Sequence, residues 1–457
     1  MTGTEKTPRQ LRQDFGGVEM IYRKMSTAFG HVGKEHWGIH CVCHFRLGQS
    51  FGKRDTGAAL REAWKALMFE YPGLSVVPDG LTKVFIIPDA QTAEKWVDQT
   101  FFVESTENAE TIIANSTIKD LPSLFYLSSS SEIVFLSQHW RIDAIGTCML
   151  LDRLFSIMAQ PQDPASLLGK PVLEEISPCL EDAAGSPQNI APELQDFARE
   201  YIDNFHKRAV NSGGLPFKGD AATLPAESSH QDLILTTDST IALVAECKNR
   251  RISVSAAIHA SLAYTVFSFA PPEDQPTDYT TVMATNMREH LPPPYNSKTH
   301  ACQTYVASII PTVPRSSDFS AATAALTRKY KIWHSQKFMQ ALREIYKYHA
   351  EKLFAPRPEG LPPPKPPSGV TLSSLGVIEK YLTGDYGDAV QVDRFRFGVG
   401  MMTRQMLLYA WTFRGQLNLS VNYNAAYYDN SMAQEVLSRI KSTLEKELGL
   451  ELNAVVP

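Results

Sequence analysis

The chain has 457 residues, 43% hydrophobic, 10% aromatic and 20% charged, which excludes disordered, collagen-like and coiled-coil classes and leaves room for more than one packed core. A formal charge of −5 offers no global attraction for nucleic acid or an anionic membrane, so neither is an expected partner. Six cysteines are too sparse for a disulfide scaffold and are expected as reduced thiols.

In chain order, the opening MTGTEKTPRQLRQDFGG lacks the apolar stretch of a secretory signal, and a cytoplasmic protein is expected. WGIHCVCHF alternates, with Trp37, Ile39, Cys41, Cys43 and Phe45 on one face and His36, His40, Val42 and His44 on the other, which predicts a half-buried strand. The same alternation separates the cysteines from the histidines, so they close no single tetrahedral metal site, and no metal is expected. Ala58 to Tyr71 places Leu60, Ala63, Trp64, Leu67 and Met68 at helical spacing and stops at Pro72-Gly73. Strands are predicted at Lys83 to Ile87 and Ile133 to Leu136, and a helix from Ile145 to Met158.

From about residue 160 to 230 the sequence turns rich in Pro, Asp and Glu, with one helix predicted near Pro192 to Lys207. The predicted division is therefore 1–205, a connection at 206–235, and 236–457. The second part begins with a strand, LILT, and a helix at Ser239 to Arg250. A buried helix follows near 253–270; serines and His259 interrupt its uncharged run, favouring a soluble core over a membrane span. Next come a strand, TTVMATN, one long helix from about Phe319 to Leu353, and an extended proline-rich loop at 356–369. The strands MLLYAWTF and QLNLSVNYN and an amphipathic helix from Met432 complete the chain. Strands and helices mix without a βαβ cadence, so the expected class is α+β.

The most informative peptide is SEIVFLSQHWRIDAIGTCMLLDRLF, where a strand runs into His139 and a helix begins near Asp143. Aspartate is a good N-cap, and a histidine beside a helix N-terminus has its cationic form disfavoured, which suits a general base. A helix-capping aspartate with an incidental histidine accounts for the same spacing. Gly48-Gln49-Ser50-Phe51-Gly52 matches G-x-S-x-G, but only 47 residues precede it, little room for the strands and oxyanion loop of a serine hydrolase. His259, among Ala, Ser and Ile, is expected to be a satisfied core group.

With FLSQHWRID as the chemically specific segment, the chain resembles the condensation-type, CoA-dependent acyltransferase superfamily, and within it the fungal trichothecene 15-O-acetyltransferases. The likeness extends through LREAWKALMFEYPGL, ISPCLED, TNMREHL, SSLG at 373–376 and FRFGVG at 395–400. It implies two chloramphenicol-acetyltransferase-like subdomains, each a mixed sheet flanked by helices, with a channel between them and His139 midway along it. Acyl-CoA, acetyl-CoA by preference, would enter from one side and a small alcohol such as a sesquiterpenoid from the other. His139 would take the hydroxyl proton and return it to the departing thiolate, without an acyl-enzyme. Asp143 would orient the loop, and Arg288 would pair with it or support the channel, a solvated surface arginine being the competing reading. Ser373 and Ser374 would offer a hydroxyl to the oxyanion or merely shape a turn before Gly376. The long helix carries seven lysines and arginines against two glutamates after residue 320, and Arg328, Lys329 and Lys331 are candidates for CoA phosphates. A monomer is expected.

Two segments depart from the family pattern. The usual glycine after the motif aspartate is Ala144, with glycine only at Gly146, and Arg396 and Val399 replace the Asp and Trp of the plant D-F-G-W-G segment. Ala144 leaves room for a same-fold cyclase, isomerase or binding protein with one substrate in the channel; a carrier-bound acyl donor is a further variant.

Overall fold

The computed structural model describes residues 10–161, 176–209, 212–270, 275–356 and 366–455. Two compact units make up the chain. The first comprises Met1–Ala184, Met287–Tyr305 and Glu379–Phe397; the second comprises Gly185–Asn286, Val306–Ile378 and Gly398–Pro457. No single cut separates them, because two later segments return to the first unit. The expected connection at 206–235 is occupied at its ends by regular structure, the last turn of helix Pro192–Ala209 and the strand Ser228–Ile234.

The first unit is built on a six-stranded mixed sheet, in the order Asp385–Tyr386, Val390–Val399, Ile39–Leu47, Glu132–Ser137, Ser123–Leu127 and Phe101–Glu104. Ile39–Leu47 runs antiparallel to Glu132–Ser137, with Cys41 opposite Phe135, and has Val390–Val399 on its other edge. It differs from the half-buried strand its alternation suggests: Cys41, Cys43 and Phe45 are buried, but so are His40 and Val42 on the opposite face. Ala109 and Ile113 of the helix Ala109–Ala114 pack on Val42, covering the face that a local pattern assigns to solvent. His44 is bound by Asp393 of that late strand, which also holds Arg46 at 2.9 Å. All six cysteines are buried free thiols.

The helices Thr56–Glu70 and Ala144–Ala159 pack against each other, and the first also packs on the strands Phe101–Glu104 and Ser123–Leu127. Asp55 caps the first, accepting from Ala58 N at 2.7 Å, and Pro72 ends it as read from the sequence. Ala144–Ala159 is apolar nearly all round, as befits a helix packed on every side.

The second unit carries a four-stranded sheet in the order Val370–Val377, Met406–Phe413, Gln416–Asn424 and Ser228–Ile234; the first pair is parallel and the rest antiparallel. Its core includes the buried helix Val254–Phe269, the final helix Asn430–Leu448 and the face of Phe319–Ile332 that presents Phe319, Ala322 and Leu326. Among the described residues no single helix is long and apolar enough to cross a membrane. Most of the predicted proline-rich loop at 356–369 lies outside the described residues.

The predicted long helix at 319–353 is two helices, Phe319–Ile332 and Gln336–Leu353. Trp333 is buried at the junction, and Ser335 restarts the helix by accepting from Phe338 N at 3.2 Å. The basic stripe is therefore divided between two helices.

Candidate active site

His139 follows the strand Glu132–Ser137 and Asp143 caps the helix Ala144–Ala159, so H-x-x-x-D bridges a strand end and a helix start. Asp143 Oδ1 accepts from Gly146 N at 2.7 Å, satisfying one of the free amides of the first turn. The carboxylate is also sealed from outside its own helix. Arg288 Nη1 donates to Oδ1 at 2.8 Å and to Oδ2 at 2.7 Å, and Tyr305 N donates to Oδ2 at 2.8 Å. Arg288 Nη2 donates to the carbonyls of Ala301 and Gln303 at 3.2 and 2.9 Å.

Arg288 is 2% exposed and Asp143 1%, so the surface-arginine alternative is overturned: the guanidinium is internal, paired and hydrogen-bonded. It clamps the returning segment 287–305 onto the motif helix within the first unit. The residues between His139 and Asp143 also hold the loop. Arg141 donates to the carbonyls of Gly73 and Val76, each at 2.7 Å, and to that of Asp120. Trp140 is buried and donates from Nε1 to Gln138 Oε1 at 2.5 Å.

The glycine departure has a packing explanation. A Cβ added at Gly146 would stand 2.2 Å from Ala301 O and 2.9 Å from Arg288 Nη2, so this is where backbone approach requires glycine. Ala144 occupies the first helical position, where alanine is a good former.

His139 is half-buried, with its Nδ1 buried and without a hydrogen-bond partner among the described residues. Thr304 Oγ1 donates to its carbonyl at 2.5 Å, and the ring of Tyr22 stacks on it at 4.0 Å. Burial pulls its pKa down to about 4, opposed by its own carbonyl and the charge of Asp143. The imidazole is therefore neutral at ordinary pH, as a proton acceptor must be.

The remaining candidates are distributed through the second unit. Ser373 and Ser374 lie on the strand Val370–Val377, paired with Tyr409 and Ala410, with a register shift between Ser374 and Gly376. Ser374 Oγ shares a hydrogen bond of 2.8 Å with Ser255 Oγ. On Phe319–Ile332, Arg328 and Lys331 are exposed one turn apart, whereas Lys329 is half-buried and its pKa is lowered by burial and by the charge of Arg208. The three do not share one face. His259 is fully buried and its Nδ1 meets Tyr330 Oη at 2.5 Å, which makes it a core group. In the first unit, Ser50 is exposed in a single 3₁₀ turn, Gln49–Phe51, and a further turn at Gly52-Lys53 separates it from the next helix, unlike a strand-to-helix nucleophile elbow. Arg396 pairs with Glu110 at 2.5 Å and Val399 is buried in its strand, so the substituted D-F-G-W-G segment is structural here. Among the described residues no three His, Cys, Asp or Glu side chains converge where a metal ion could be held.

Sequence reasoning did not find Tyr22 or Thr304. Tyr22 sits on an amphipathic helix, Gly17–Thr27, that it did not anticipate although Val18 and Ile21 mark a buried face, and Thr304 lies in an irregular return segment that carries no local signal.

A condensation-type acyltransferase is the class that this strand-to-helix histidine and arginine-clamped aspartate define, and comparison with known proteins agrees. The profile of the phthiocerol/phthiodiolone dimycocerosyl transferase C-terminus matches residues 225–422. The O-acetyltransferase pigM of Monascus ruber is 53% identical over 456 residues, covering 100% of this chain and 89% of the relative. Azaphilone biosynthesis cluster protein M of Aspergillus terreus is 49% identical over 442 residues, covering 97% of each. The TRI3 trichothecene 15-O-acetyltransferase of Fusarium sporotrichioides superposes with a TM-score of 0.79 over 97% of this chain and 96% of that one; at 17% identity it establishes the fold. The chain belongs to the condensation-type, BAHD-like acyltransferase superfamily and is an acyltransferase enzyme.

Proposed function

We propose that the protein transfers an acetyl group from acetyl-CoA to a hydroxyl of a small fungal natural product, with His139 as general base. The observation that carries this reading is the state of His139: half-buried, held by its carbonyl and stacked ring, and kept neutral by burial. The acceptor O–H proton passes to the imidazole as oxygen attacks the thioester carbon; collapse of the tetrahedral adduct breaks the carbon–sulfur bond and returns the proton to sulfur. Asp143 stays out of the proton path, its oxygens already committed to Gly146, Arg288 and Tyr305.

For the acceptor, an alcohol of azaphilone type replaces the sesquiterpenoid of the sequence reading. The azaphilone-cluster relative is 49% identical, whereas the trichothecene enzyme is similar at 17%. Arg328 and Lys331, exposed together, suit the phosphates of CoA better than the half-buried Lys329.

The test is thiol release from acetyl-CoA in the presence of azaphilone alcohols, with a carrier-bound acetyl donor in parallel. Wild-type protein is expected to release thiol and form an ester, and folded His139→Ala to lose at least about 100-fold in kcat. A folded His139→Ala protein with wild-type turnover refutes the base, and transfer from the carrier donor alone refutes CoA.

A further inference from the structure

The helix Gly17–Thr27 brings Tyr22 onto His139, with ring centroids 4.0 Å apart and planes 9° from parallel. Behind Tyr22 stands Trp37, at 5.7 Å and tilted 59°, and His36 stacks on Trp37 at 4.7 Å. Trp37 has a φ of 63°, in the left-handed region that a bulky residue with a Cβ seldom enters. Such a conformation persists only where the surroundings over-determine it, and here it sets an indole against the ring that covers the motif histidine.

Resting on the assignment of His139 as base, we propose that Tyr22 is a positioning residue for the transfer: its ring fixes the imidazole plane, and its electron-rich face stabilises the imidazolium that exists between proton uptake and proton return. An aromatic face attracts a cation through its quadrupole, most strongly where water is excluded. The Nδ1 side of His139 is such a place: that atom is buried, and burial works against the charged form of the ring. The charged or titratable groups acting on it are Asp143, which favours the cation, and Tyr22 itself, whose phenol is held neutral by burial and by Asp143. Because the cation forms only after substrate has bound, this stabilisation belongs to kcat and not to KM. The phenolic hydroxyl is not required; the ring is.

The experiment measures kcat and both KM values from pH 4 to 9 for wild type, Tyr22→Phe, Tyr22→Leu and His139→Ala, each checked for folding by circular dichroism. Phenylalanine keeps the face and is expected within about three-fold of wild type. Leucine is expected to lower kcat about 10-fold with KM values within about two-fold, and to leave the acid limb in place or move it down, because loss of a cation-stabilising face lowers the histidine pKa. Should the leucine variant not fold, Tyr22→Met removes the same face.

Two results overturn the proposal: wild-type kcat in the leucine or methionine variant, or an acid limb displaced upward toward the ordinary histidine value, which marks a ring that merely keeps water out. His139→Ala separates this from the underlying assignment. An inactive His139→Ala beside a wild-type-like leucine variant refutes the role of Tyr22 alone, whereas an active His139→Ala removes the base and the role of Tyr22 with it.

Discussion

Arg288 donates through one nitrogen to both carboxylate oxygens of Asp143, at 2.8 and 2.7 Å, in a pair whose members are 2% and 1% exposed. Asp143 begins the helix that follows the motif histidine, and Arg288 begins the segment that returns from far along the chain. Removing one partner leaves an uncompensated buried charge. Arg288→Ala or Asp143→Ala is expected to destabilise by about 3–5 kcal/mol, measured by urea unfolding. At a temperature where the variant remains folded, activity falls while the neutral state of His139 persists.

Gly146 and Ala144 are expected to respond in opposite senses. Gly146→Ala drives a methyl into Ala301 O, 2.2 Å away, and should cost about 1–3 kcal/mol and much of the activity, because the Arg288 clamp must shift. Ala144→Gly restores the family residue yet should cost up to about 1 kcal/mol and leave kcat unchanged. A gain in activity from Ala144→Gly would contradict the packing account; steady-state kinetics and thermal melts decide.

With His139 as the proposed base, its protonation sets the expected pH dependence of transfer. Its folded pKa is lowered from 6.5 to about 4, so kcat/KM is expected to remain flat from pH 8 down to about 5 and to fall only toward pH 4. The stability linked to the same group is fully present above pH 6.5 and lost as pH falls through about 4, since the unfolded chain takes up the proton first. NMR titration of the labelled imidazole checks both statements.

Glu35 has the opposite sign. Its Oε1 is buried without a hydrogen-bond partner among the described residues, and burial raises its pKa from 4.5 to about 8 against the charges of Arg23 and Arg141. Its contribution to stability is present below about pH 4.5 and lost as pH rises through about 8. Glu35→Gln should flatten that alkaline decline in unfolding free energy, and an unchanged slope would reject the assignment.

Arg328→Glu together with Lys331→Glu is expected to raise KM for acetyl-CoA several-fold at low salt, less so in 0.5 M salt, with kcat unchanged. Charge reversal at Lys329 serves as the comparison, since that side chain is half-buried beside Arg208.

Local pattern was enough for much of the fold. The helices Thr56–Glu70, Ala144–Ala159, Val254–Phe269 and Asn430–Leu448 follow from apolar spacing and caps, and Met406–Phe413 and Gln416–Asn424 from their alternation. It misjudged the strand Ile39–Leu47, where tertiary cover buries a face that alternation marks as polar, and the 319–353 segment, where a buried tryptophan and a serine cap interrupt one periodicity. The site divides along the same line. H-x-x-x-D is a contiguous string whose strand-to-helix setting is written in its neighbours.

What the sequence by itself determined is an α+β chain with His139 and Asp143 at a strand end and a helix cap, because those features depend on residues close in the chain; the acyltransferase class came from its resemblance to a known family. Only the tertiary structure decided that Arg288 is the internal partner of Asp143, that Gly146 and not residue 144 needs to lack a Cβ, and that Tyr22 lies flat on His139. Each of these joins segments far apart in sequence, where burial and close approach arise from packing and leave no periodic trace.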